Sequence, residues 1–197
     1  MFANGTVGLG GPYDAIVTLN SGAPYQFTRP PGPASFDAQR SIEHEVDEAI
    51  GLGSRLGGSG NDLRPQDLFS WSSAGVRNIG TSGTRYFSIN GGVTNIVRFN
   101  QNPDGDLGYW FSEDCPQAHP YPQNAFSCHR QSSDIAATSP EGINLDVIGY
   151  DLSPGASSNL GNISTRSLVR TGEHVMIGWF YCPRYWTKES DHSCYWP

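Results

Sequence analysis

Positive charge is scarce in this chain. Twelve Lys and Arg stand against 19 Asp and Glu, giving a formal net charge of −7 and a pI near 5.0. A nucleic acid or an anionic membrane surface needs basic patches, so neither is expected as a partner. No apolar run approaches the roughly 20 residues of a membrane-spanning helix, so no span is expected. Residues 1–11 lack the basic and apolar regions of a signal peptide. There is no Gly-x-Ser-x-Gly elbow and no phosphate-binding glycine loop after a strand, so serine-nucleophile and nucleotide chemistry find no support.

What the chain does have is turn-forming residues. Its 24 Gly and 14 Pro, with 37% hydrophobic and 16% charged residues, describe a loop-rich globular protein. At 197 residues it can hold one domain with a core and a smaller appendage. Four cysteines occur, at 115, 128, 182 and 194. Cys115 and Cys128 close a short loop rich in Pro, His and Tyr. That suits a disulfide in an oxidising compartment, the alternative being two free thiols.

Along the chain, residues 14–20 alternate apolar and polar and predict a strand. The Pro30-Pro31-Gly32-Pro33 run cannot continue a helix. A helix is predicted after Ser35 as N-cap, running to about Ile50, with Ile42, Val46, Ala49 and Ile50 on one face. Five glycines in residues 51–60 end it. Short strands are predicted at 67–71, 85–89 and 93–99, with Asn90-Gly91-Gly92 as a hairpin turn. Asn102-Pro103-Asp104-Gly105-Asp106 reads as another turn, short of the ligands of a calcium loop. Residues 112–140 read as irregular, and 145–152 could be helix or strand. The expected class is therefore α+β: one functional helix, a small twisted sheet and long loops.

One segment carries a mechanism: Ser41-Ile42-Glu43-His44-Glu45-Val46-Asp47-Glu48-Ala49-Ile50-Gly51. His44 and Glu48, four residues apart, project from one helical face and can share a zinc ion. Glu45 lies beside the first of them, where a carboxylate can accept a proton from water.

The pattern His-Glu-x-x-Glu-x-x-Gly resembles a bacterial family of secreted zinc metalloproteases, related in style to the metzincins. Asp67-Leu68-Phe69, the run from Tyr86 to Asn95, and Leu145-Asp146-Val147-Ile148-Gly149-Tyr150 are similar to further segments of that family. The resemblance covers residues 14–152. It implies a metzincin-like fold over 1–152, N-terminally truncated, with the signal peptide lost with the missing part and the protein secreted. It implies zinc as cofactor, a peptide or protein as substrate, Glu45 as general base, and His44 and Glu48 as ligands. An extended peptide would lie along a sheet edge near the helix. Gly51 falls where metzincins turn after the helix. The third-ligand position falls on Ser54, where a metzincin has His or Asp. Asp62, Asp67, His119 and His129 are the other donors considered, with Ser54 first by position and Asp62 first by chemistry. A catalytically inactive extracellular module of the same fold is the alternative.

Residues 153–161 read as a Ser/Gly/Pro/Asn linker, and 162–178 resemble the start of a β-rich module found in secreted bacterial proteins. Residues 179–197 then hold three of five Trp, two of four Cys and the one Lys. Back-translated with permissible codons and read one nucleotide later, they give an alternating, strand-like string. A frame-shifted tail is therefore expected, which the gene's nucleotide sequence tests.

Overall fold

The computed structural model describes residues 15–56 and 63–151, and beyond them only the backbone of short strands. The linker at 153–161 and the side chains of 179–197 lie outside the described residues. The class is α+β.

Two short strands, β1 (Tyr25–Gln26) and β2 (Phe36–Asp37), pair in parallel and lead into the first helix, α1 (Ala38–Ile50). Asp37, not Ser35, is the N-cap: its carboxylate accepts from the amides of Gln39 and Arg40. The shift has a physical reason. Asp37 satisfies two otherwise unpaired amides and also meets Arg29 Nε at 2.7 Å, a partner that Ser35 has no charge to attract. At the other end Gly51 adopts φ 124°, and its amide bonds back to Asp47 O at 3.0 Å. That positive φ is costly for any residue with a Cβ.

The predicted apolar face of α1 is only partly buried. Its buried residues are Ala38, Arg40, Ile42 and Asp47, while Val46, Ala49 and Ile50 are only half-buried. The helix therefore buries two polar side chains, Arg40 and Asp47, beside the apolar Ala38 and Ile42.

Residues 65–69 are not strand but a 3-10 helix (Pro65–Phe69), begun by the proline at its first turn. β3 (Ser70–Ser73) follows, then β4 (Val76–Arg77), β5 (Tyr86–Phe87) and β6 (Val97–Arg98). They form an antiparallel sheet in the order β4-β3-β5-β6. Gly91 and Gly92, at φ 74° and 82°, turn the chain between β5 and β6, as the Asn-Gly-Gly run predicts. Residues 15–20 form no strand: their alternation finds no partner among the described residues, and Ile16 is exposed.

Single bridges carry the sheet towards α1. Phe99 bridges antiparallel to Trp110, and Trp110 bridges parallel to Asn124. Trp110 is fully buried between Phe87 and Phe99, with ring centroids 5.7 and 5.2 Å away. A Cys115–Cys128 disulfide closes the intervening loop. The last part of the domain is α2 (Pro140–Ile148), capped by Ser139 with proline at its start. The 145–152 segment thus divides at Gly149, in the left-handed region, into the end of α2 and β7 (Tyr150–Asp151). β7 pairs antiparallel with Cys182–Pro183, and Val169–Thr171 pairs antiparallel with His174–Met176.

Candidate functional site

His44 and Glu48 come together on the exit half of α1. His44 Nε2 lies 3.3 Å from Glu48 Oε1. The other ring nitrogen, Nδ1, lies 2.9 Å from the Pro122 carbonyl oxygen. A carbonyl can only accept, so Nδ1 carries the proton there. In the neutral imidazole, Nε2 then presents a lone pair to a carboxylate oxygen. Two acceptors facing at that distance repel unless a positive charge, a proton or a metal ion, sits between them.

The loop closed by the disulfide supplies this orientation. Tyr121 O accepts from Arg40 Nη2 at 2.7 Å, Pro122 O accepts from His44, and Gln123 Nε2 donates to His44 O at 2.8 Å. Gln123 and Asn124 of this loop are buried. An opening lies beyond the end of α1. A cleft of about 290 Å³ is lined there by Glu48, Gly51, Gly53, Ser54, Arg64 and Asp106, among others.

Electrostatics sharpen the pair. Burial works against a charged His44, but the bond to Glu48, with that to Pro122, outweighs it and holds its pKa above the ordinary value. Burial likewise pushes the Glu48 carboxyl up, yet its bonds with His44 and Tyr109 prevail and hold it below the usual range. Glu45 sits at the exposed rim. Desolvation by surrounding atoms and repulsion from Glu48 raise its pKa, partly offset by His44. Asp47 does not join this face. It is buried, and burial with the nearby Glu141 and Glu43 pushes its carboxyl well up.

The third-donor positions fare differently. Ser54 lines the cleft, but its hydroxyl donates to Asp67 Oδ1 at 2.7 Å and accepts from the Leu56 amide at 3.1 Å. Asp67 is buried and also accepts from the Arg64 amide, so it holds the chain rather than facing the cleft. His119 is exposed beside Glu113, and His129 packs edge-on against Phe36. Asp62 lies outside the described residues. Among the described residues no group of three His, Cys, Asp or Glu side chains converges as a metal cage. Two residues reach the site that the sequence reading did not assign to it: Asp106, read there only as part of a turn, and Tyr109. Asp106 lines the cleft, and Tyr109 donates its phenol proton to Glu48 Oε1.

Comparison with known proteins finds no matching family model, no matching curated protein and no matching solved structure. No helix among the described residues is long and apolar enough to cross a membrane.

Proposed function

We propose that this chain is a zinc-dependent endopeptidase of metzincin-like type, acting on peptide or protein substrates outside the cell. One observation carries the reading: with His44 Nδ1 committed to Pro122, Nε2 and Glu48 Oε1 face each other at 3.3 Å. An imidazole and a carboxylate so placed fit a divalent cation as two of its donors, and the carbonyl on Nδ1 is the usual outer partner of a ligating histidine. Of the two third-donor candidates, the Ser54 hydroxyl is committed to Asp67, and Asp62 lies outside the described residues.

Zinc held there supplies a Lewis acid that acidifies water and polarises a peptide carbonyl. The chain's own residues do the rest. Glu45 takes the proton of the attacking water and returns it to the leaving amine, as its raised pKa suits. The cleft beyond Glu48 receives the peptide. The Cys115–Cys128 disulfide supports an oxidising, extracellular setting.

The test is elemental analysis of the full chain beside His44→Ala and Glu48→Ala. Stoichiometric zinc in the parent, lost in both variants, is the expected outcome. Glu45→Gln should keep the metal and lose about 10²-fold or more of its peptidase rate. The commitment of Ser54 to Asp67 favours a second reading, an inactive extracellular module in which His44 and Glu48 form a plain ion pair. A folded parent protein without zinc would establish it.

A further inference from the structure

Tyr109 touches both members of the His44–Glu48 pair. Its phenol donates to Glu48 Oε1, the same oxygen that faces His44 Nε2. Its ring meets the imidazole edge-on, with centroids 4.6 Å apart and planes at 64°.

We infer that Tyr109 is a positioning residue for this pair, holding the Glu48 carboxylate and the His44 ring converged for a divalent cation. The inference rests on the zinc reading above and adds to it a residue that the helix motif does not contain. The phenol suits the task because it brings one donor to a carboxylate while its apolar ring limits the swing of the imidazole. A carboxylate has several rotamers within reach of solvent, and each one it abandons is entropy that the cation would otherwise have to supply.

Tyr109 can act in this way because its own base is fixed. On one side Gly108 is pressed against the start of the cleft, where a Cβ would come within 2.8 Å of the Gly53 carbonyl carbon. On the other side Trp110 is locked in the core. Between them Tyr109 O accepts from the Asn100 amide at 2.8 Å, and its own amide donates to Asp106 O at 3.3 Å. A rigid support of this kind keeps a site's geometry within the tolerance that metal binding needs.

The experiment compares the full chain with Tyr109→Phe, which keeps the ring and deletes the donor, and Tyr109→Leu, which deletes both. Zinc affinity is read by competition with a chromophoric chelator, cobalt(II) absorption reports the coordination, and melting is followed in excess chelator. Outer partners of metal ligands are worth about 10–100-fold in affinity, so Tyr109→Phe should bind zinc at least tenfold more weakly. Its cobalt spectrum should shift while its metal-free melting temperature stays put, and Tyr109→Leu should bind more weakly still. Equal zinc affinity and an unchanged cobalt spectrum in Tyr109→Phe overturn the inference, with or without a drop in metal-free melting temperature. If the parent binds zinc stoichiometrically in that case, the zinc reading survives alone. A parent that binds no zinc removes both.

Discussion

Glu43 shows how a neighbour of the site can set stability rather than chemistry. It lies one residue before His44, accepts from Gln39 Nε2 and the Ile135 amide, and faces Asp134 and Arg29. Burial, with repulsion from Asp134 added and its hydrogen bonds and Arg29 opposing, pushes its pKa from 4.5 up to about 8. The unfolded chain therefore releases this proton first as pH rises. Below pH 4.5 the group costs nothing, and between 4.5 and about 8 it makes folding progressively less favourable. Glu43→Gln cannot ionise, so its stability should fall less than that of the parent over that window. Denaturant unfolding at a series of pH values checks this, and parallel curves for the two proteins would contradict it.

At the scale of single elements, the start of α1 is where two ordinary forces meet in one side chain. Asp37 caps the helix and pairs with Arg29. Asp37→Ala should cost about 1–2 kcal/mol from the cap alone, and more once the ion pair goes with it. Asp37→Asn keeps the capping oxygen and loses the charge, so it should recover most of the cap. Equal losses for both would place the whole effect in the Arg29 contact.

The same helix shows what a sequence displays and what it withholds. His44 and Glu48 on one face, the stop at Gly51 and the Asn90-Gly91-Gly92 turn were all legible, because spacing and glycine geometry are local. Ser139-Pro140 likewise begins α2 with a cap and a first-turn proline. Choosing Asp37 over Ser35 needed Arg29, which is close in space and remote in pattern. The alternation of residues 15–20 misled because a strand requires a partner as well as a period. Asp47 read as one more acid on a solvated face, yet it is buried; nothing in its own turn announces Glu141 across the core. Tyr109 carried no signal at all, since its role arises from a contact 61 residues away.

At the scale of the whole molecule, the Cys115–Cys128 loop ties the sheet to the helix. It spans 13 residues and contains Tyr121, Pro122 and Gln123, the three that bond to α1. A crosslink closing a loop of that order contributes about 3 kcal/mol. Reduction of the full chain should lower its stability by about that much and, on the zinc reading proposed above, weaken zinc binding with it, because the carbonyl that orients His44 is no longer held. Zinc affinity unchanged by reduction would show that the loop keeps its place without the bond.

That dependence sets a timetable. The helix bearing His44 and Glu48 is synthesised 78 residues before the carbonyl that orients it. A chain still emerging from the ribosome has the residues of the site without their arrangement, and the reduced full chain is expected to share that condition. On the endopeptidase reading proposed above, an enzyme built in this way would stay harmless to the cell that makes it and become competent where its cysteines oxidise.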